Sequence, residues 1–342
     1  MSDRAWVDLV VPDDFDEADY LAANHDVAAV VARGGMQSGL QHYIQYGARE
    51  NRSLRPGVRA VPFKLPFAPH WHPSRRDKIL AGLDLPRLDG VEIGALASPL
   101  VTRAEGNIFY VDFTGTAALQ DYYRHHGGVD TSAIVAVDAI WGDNTLQDCI
   151  GLERKVDYVV ASHVVEHCPD LITWLREISD ILRPGGTLRL AVPDRRYSFD
   201  YLRHETRLPD VLDAFLRRAR APLPRAILDH YTFVVFIDHQ AAWAGEVDEA
   251  SLVRKFTVQE AMAHAEEALH AGHYFDVHCW VFTPKSFAGL LAEMAELDLI
   301  RFACHYWFDT ARNEAEFTVG MNVCEDRAER IASWRRMQAG AV

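Results

Sequence analysis

Residues 156–194 read VDYVVASHVVEHCPDLITWLREISDILRPGGTLRLAVPD. The opening run, from Val156 to His163, is short, apolar and rich in valine, which predicts a buried strand. Asp157 stands where it can pin the start of that strand. A helical stretch follows. Leu182-Arg183-Pro184-Gly185-Gly186 then ends the helix and turns the chain sharply into TLRLAVPD, a turn that needs glycine where φ is positive.

Working outward, the same alternation continues. Upstream, GVEIG (90–94), NIFYVDF (107–113) and AIVAVDA (133–139) read as further strands. Strands rich in Val and Ile with helices between them predict an α/β fold whose parallel sheet is covered on both faces. Downstream the pattern breaks between about 195 and 278. It resumes as a capped amphipathic helix, TPKSFAGLLAEMAELDL, and two closing strands, IRFACHYWFDT and EFTVGMNV. At the other end, residues 13–50 read as a small helical unit, and five prolines between Pro56 and Pro73 read as an extended connector. The expected division is a module at 1–55, a linker at 56–74 and a main domain at 75–342, with 195–278 as an insertion.

The 156–194 stretch resembles the fourth- and fifth-strand region of class I S-adenosylmethionine-dependent methyltransferases. That family has a strand led by Asp, an E-H pair after it, a helix, and an L-R/K-P-G-G turn into the next strand. The resemblance implies a Rossmann-like seven-stranded sheet with helices on both faces, and a largely helical insertion after the fifth strand. It also implies S-adenosylmethionine as methyl donor. The N-terminal unit is similar to a short bacterial module of the form FD..YL..NPDV......G....HY...G..EGR, matched here by Phe15, Asp16, Tyr20, Leu21, Asn24, Asp26, Val27, His42, Tyr43, Gly47, Glu50 and Arg52. His25 stands where copies of that module usually have proline. Such modules often accompany glycosyltransferases, which points to a carbohydrate setting.

In the methyltransferase frame, Glu92, Gly94 and Ala95 occupy the loop after the first strand, where glycine lets the backbone approach a cofactor. Leu96 and Ser98 stand where family members often carry more glycine. This E-I-G-x-L-x-S-P version looks like a subgroup associated with sugar and cell-surface genes. Asp112, twenty residues beyond Glu92, ends the second strand and is placed to accept the ribose hydroxyls. Asp138, with Ala139, ends the third strand and is expected at the adenine amine. Ser162 and His163 border the methionine end.

His163-Val-Val-Glu166-His167 also fits H-x-x-E-H, a zinc-protease pattern. Such a protease needs these residues inside a helix, whereas this segment leaves a buried strand directly. Zinc hydrolysis is therefore rejected, and no metal ligands are assigned. The insertion is rich in histidine. His273 and His278, with His163, are the candidate catalytic groups, because imidazole titrates near working pH. Arg195, Tyr197, His230 and Asp276 are the candidate acceptor-binding groups. A structural hydrogen-bond network or a divalent metal are the other readings of this histidine group. Arg217, Arg218, Arg220 and Arg225 form a basic stretch read first as a solvated helix face, with a landing site for an anionic group on the substrate as the alternative.

The composition is that of an ordinary globular protein, 49% hydrophobic and 25% charged. A net charge of −14 argues against a general grip on nucleic acid. No apolar run approaches a membrane span. The N-terminus lacks signal-peptide order, so a cytoplasmic location is expected. Five cysteines scattered without a C-x-x-C pair predict reduced thiols. The expected activity is methyl transfer to a small molecule, with the hydroxyl of a sugar or glycoconjugate leading. The alternatives are N-methylation in a natural-product pathway, or a catalytically silent cofactor-binding scaffold. The oligomeric state is left open.

Overall fold

A computed structural model describes residues 11, 15–47, 52, 54, 73–125, 128–142, 144–151 and 154–342. Two compact units divide the chain, Met1–His72 and Pro73–Val342. In the first, helices α1 (Glu17–Ala23), α2 (His25–Ala32) and α3 (Gly39–His42) follow one another, and α3 runs on into a wide turn, Tyr43–Gly47. Asp16 caps α1 by accepting the Asp19 N–H, and Glu17 accepts the N–H of Gly39 at the start of α3. Fully buried Tyr20 packs on Phe15 and Tyr43, and its hydroxyl meets His42 Nδ1 at 2.9 Å. A Cβ on Gly47 would lie 2.1 Å from the Tyr20 hydroxyl, so Phe15, Tyr20, Tyr43 and Gly47 of the motif pack together in this unit. Residues 55–72, most of the expected linker, lie outside the described residues. Pro73 and Ser74 already belong to the second unit, where Ser74 caps α4 (Arg75–Ile79).

The second unit carries a seven-stranded sheet in the order β3-β2-β1-β4-β5-β7-β6. Its strands are β1 (Asp89–Ile93), β2 (Asn107–Asp112), β3 (Ala139–Ile140), β4 (Val156–Ser162), β5 (Leu182–Pro193), β6 (Phe302–Phe308) and β7 (Glu316–Val323). The first five run parallel, and β7 inserts antiparallel between β5 and β6. Helices α5 (Thr116–Arg124), α6 (Leu146–Ile150) and α7 (Leu171–Ile181) connect the parallel strands. Along β4, Val159 and Ala161 enter one apolar cluster with α7, while Tyr158 and Val160 enter another with Ile79 and Leu100. This alternation buries the sheet on both sides, as the valine-rich runs predict.

After β5 come α8 (Leu208–Arg217), α9 (Pro224–Phe233), α10 (His239–Ala244) and α11 (Val258–Ala271), then α12 (Pro284–Glu296) and, after β7, α13 (Arg327–Gly340). The insertion after the fifth strand is thus largely helical. Buried Arg203 ties it together, donating to Asp200, to Asp229 and to the His278 carbonyl.

One expectation changes. Of AIVAVDA, only Ala139 joins the sheet. Val135 donates to the Leu96 carbonyl and Val137 to the Thr116 hydroxyl at the start of α5, and the neighbouring strand is reached by the Asp138 N–H, at the Tyr110 carbonyl. The basic stretch resolves largely into local pairs: Arg217 with Asp213, Arg225 with Asp210, and Arg220 donating to the Asn144 carbonyl. Arg218 caps α8 with a left-handed φ of 51°.

The turn opening β5 is locked from below. Asp157 accepts the Asp89 N–H at 2.8 Å and a bond from Arg183, which also pairs with Asp89. A Cβ on Gly186 would stand 2.8 Å from the Arg183 carbonyl, which explains the glycine. Asp157→Ala removes two acceptor bonds at a partly exposed site. We expect a loss of about 1–2 kcal/mol, a melting point about 3–6 °C lower, and an unchanged methyl-transfer rate below that temperature.

Candidate active site

The loop after β1 is shaped by a carboxylate. Glu92, 3% exposed, accepts the N–H groups of Leu100 at 2.7 Å and Val101 at 3.0 Å, folding residues 94–99 back over the strand end. Burial pushes its carboxyl up to about 7, outweighing those two bonds and the nearby arginines. Gly94 has φ 71°, and a Cβ there would meet Val164 Cγ2 at 2.9 Å. Leu96, standing where a glycine is common, also takes a left-handed φ of 46°. The loop therefore keeps a glycine-like path at a backbone strain of about 1–2 kcal/mol.

A cavity of about 330 Å³ opens on this loop, bordered by Arg75, Glu92, Gly94, Ala95, Ser98 and Ser162. Four of the expected cofactor residues are thereby brought together. Arg75 was not anticipated. The first residue of α4, it donates to Ser162 Oγ and to both oxygens of Glu316 at the start of β7.

Asp112, Asp138, Ala139 and His163 do not line that cavity. Asp112 ends β2 and is 5% exposed. One oxygen accepts the Phe113 N–H, and the other has no partner among the described residues. Tyr274 from the insertion stacks on Phe113 beside it. Burial raises the Asp112 carboxyl to about 6, against the Phe113 bond and with the Asp276 charge adding to the rise. Ribose hydroxyls donate best to the ionised carboxylate. Affinity for S-adenosylhomocysteine should therefore climb between pH 5 and 7 and level off above. Below pH 6 it should fall by up to about tenfold per unit, and calorimetry across this range checks it. Asp112→Asn should remove that part of the slope.

Asp138 is engaged at the sheet edge before β3 begins, where it accepts two bonds from Arg103 and one from the Tyr110 N–H. Ala139 pairs with Val111 at the start of the two-residue β3.

The end of β4 leads into a charged cluster. His163 has φ 54°, an uncommon backbone for a side-chain-bearing residue, and its Nε2 meets Glu316 at 2.6 Å. Burial would lower this imidazole, but Glu166 and Glu316 outweigh it and hold it up at about 9. Held between Glu166 and Glu316, the ring favours its protonated form near neutral pH, which weighs against His163 as a base. Glu166, 1% exposed, has both oxygens without a hydrogen-bond partner among the described residues. His163 Nδ1 stands 3.5 Å from it, and His278 Nε2 4.0 Å.

His278 is brought there by the returning insertion, because the Glu166 carbonyl accepts the N–H groups of Cys279 and Trp280. Its Nδ1 bonds Asp200 at 2.6 Å, and the Asp200–Arg203 pair fixes that carboxylate. His167 Nδ1 bonds Asp276 at 2.7 Å, and the two imidazoles meet edge to face at 4.8 Å. His230 Nδ1 accepts the His278 N–H. Burial, with Arg203 and His278 nearby, lowers its ring to about 3 and keeps it neutral.

His273 is not part of this cluster. It is exposed and pairs with Glu267 at the end of α11, which corrects its catalytic assignment. Arg195 donates through one guanidinium nitrogen to the Tyr201 carbonyl, while its Nε has no hydrogen-bond partner among the described residues. Tyr197 stacks on Trp243 at 3.9 Å and 5°.

A 3-2-1-4-5-7-6 sheet with a tight glycine turn after β1, an acid ending β2 and a polar cluster after β4 defines the class of S-adenosylmethionine-dependent methyltransferases. The residues fit that cofactor: Gly94 keeps the left-handed turn that carries the loop past the end of β1, and one Asp112 oxygen has no hydrogen-bond partner among the described residues. Residues 110–300 match the family described as a methyltransferase domain, and the chain belongs to that family. No curated protein matches the chain.

Among solved structures, it is similar to the CurJ carbon methyltransferase, with 12% identity, 72% of this chain, 51% of that one and a TM-score of 0.34. The chain thus spans about half the length of that protein. It is also similar to an S-adenosylmethionine-dependent methyltransferase from Clostridium acetobutylicum, with 8% identity, 69% and 84% coverage and a TM-score of 0.35. A third is the magnesium protoporphyrin IX methyltransferase of Synechocystis with bound SAH, with 11% identity, 70% and 75% coverage and a TM-score of 0.29. At these scores the likenesses add nothing to the sheet order and the family match. No helix among the described residues is long and apolar enough to cross a membrane.

Proposed function

We propose that the chain methylates a hydroxyl oxygen of a small molecule, with a sugar or glycoconjugate as the leading acceptor. When bound, S-adenosylmethionine supplies an electrophilic methyl group on its sulfonium. The observation that carries the reading is the Glu166–His167–His278 cluster just beyond Ser162, where orienting carboxylates hold two imidazoles beside a buried acid that has no hydrogen-bond partner among the described residues. Such a group suits removal of a proton from a hydroxyl, which a neutral amine does not require. Glu92, Gly94, Ala95 and Asp112 would hold the cofactor, and Arg75 and Ser162 would border its methionine end. The insertion, through Asp276 and His230, would bound the acceptor, and the Tyr197–Trp243 stack offers a flat apolar face of the kind a sugar ring packs on. The resemblance of the N-terminal unit to carbohydrate-associated modules supports the same acceptor class.

The test is transfer of labelled methyl to a panel of matched sugar alcohols, phenols and amines. Methyl ether products support the reading. Methylated amines alone would replace it with N-methylation, and cofactor binding without transfer to any acceptor would leave a silent scaffold.

A further inference from the structure

The polar cluster beyond β4 contains more than a base requires. Glu166 is wholly buried, and among the described residues neither carboxylate oxygen has a hydrogen bond, only the looser approaches of His163 at 3.5 Å and His278 at 4.0 Å, although a buried charge is normally hydrogen-bonded. One donor atom each from Glu166, His167 and His278 lies within 4.8 Å of the others. Each histidine is also turned the same way. His167 gives Nδ1 to Asp276 and His278 gives Nδ1 to Asp200, so in both rings Nε2 is left over. An imidazole fixed through one nitrogen by a carboxylate, with the other presented, is the arrangement that orients histidines on metals.

The geometry points to a binding site for one divalent transition-metal ion, held by Glu166, His167 and His278 and open on its remaining positions to the acceptor hydroxyl. Two imidazoles and a carboxylate suit the borderline first-row cations, such as zinc, manganese, iron or cobalt. Metal–ligand bonds of about 2.0–2.2 Å place donors about 3–4 Å apart, so closure needs side-chain shifts of an ångström or so. The H-x-x-E-H stretch contributes only its second half. His163 is held by Glu316, and the third ligand comes from the insertion, more than a hundred residues later in the chain.

The role rests on the O-methylation reading above. Coordination lowers the pKa of a bound hydroxyl. The proton passes to the Glu166 oxygen not bound to the ion, and from there to water. The oxygen lone pair forms the new O–C bond, while the methyl–sulfur bond breaks with its electron pair remaining on sulfur.

The test is cobalt titration of chelator-stripped full-length protein, read by visible absorption with neither cofactor nor acceptor present. One saturating equivalent with a ligand-field spectrum is expected. Glu166→Gln and His278→Ala should abolish it, Asp276→Asn should weaken it about 10–100-fold, and His273→Ala should leave it unchanged. Circular dichroism confirms that each variant is folded. His167→Gln, at a partly exposed position, provides a second ligand deletion should a buried variant misfold. Absence of saturable binding in the wild type, or wild-type binding by Glu166→Gln, overturns the site. Because this readout involves no methyl transfer, failure to find ether products leaves it standing. Full O-methylation by metal-free protein would sink the metal while sparing the acceptor assignment.

Discussion

Replacing His278 by alanine is expected to lower methyl transfer to a hydroxyl acceptor by about a hundred- to ten-thousand-fold, the range a positioned proton-handling group contributes. The ring stands at the meeting of three elements: the turn after β4, the buried Asp200–Arg203 pair, and the returning end of the insertion. Its loss removes the group that Asp200 orients and leaves Glu166 with His163 and His167 as its imidazole neighbours. The cofactor loop after β1 is built from other residues, so affinity for S-adenosylhomocysteine should stay within a factor of a few. The split between kcat and cofactor affinity is what separates this role from a general structural one. His278→Asn keeps a hydrogen-bonding partner for Asp200 and guards against simple misfolding. A full rate in both variants would remove the cluster from the chemistry and favour an amine acceptor. His273→Ala is expected to be silent, because that ring is exposed and paired with Glu267.

Asp112→Ala should weaken S-adenosylhomocysteine about 10–100-fold. The carboxylate is buried at the end of β2 with one oxygen uncommitted, and hydrogen bonds to a charged acceptor contribute about 1.5–3 kcal/mol. The apo protein should meanwhile become slightly more stable near neutral pH. Burial raises this carboxyl to about 6, above the value of an exposed aspartate, so the folded state binds more protons than the unfolded one between about pH 4 and 6. Its favourable contribution is therefore present at low pH and lost as pH rises through 6. Calorimetry with the cofactor product reads the first effect and thermal melts read the second. Unchanged affinity would take Asp112 out of the site.

The sheet was legible because its evidence is local. Valine-rich strands, a glycine turn and a capped helix repeat at short range, and each depends on backbone chemistry that a window of ten residues contains. The third strand was misread for the complementary reason. AIVAVDA has strand composition, but the N–H groups of Val135 and Val137 find Leu96 and Thr116, and the neighbouring strand is met only from Asp138 on; composition carries no record of that. The site divides in the same way. Glu92, Gly94, Ala95 and Ser162 sit at strand ends and could be placed by counting. Arg75, Glu316 and Asp200 acquire their roles only through partners 78 or more residues away. Asp138 follows the same pattern: Arg103, from a different loop, pairs with its carboxylate.

The antiparallel entry of β7 has a consequence for the order of events in folding. Glu316, at its first residue, bonds both Arg75 and His163 across separations of 241 and 153 residues. Contacts of that span close late, because a long loop must be ordered before they return any energy. A nascent chain ending before this strand could pair its five parallel strands yet would lack the acid that restrains both cations. The reactive end would thus be the last part of the domain to mature.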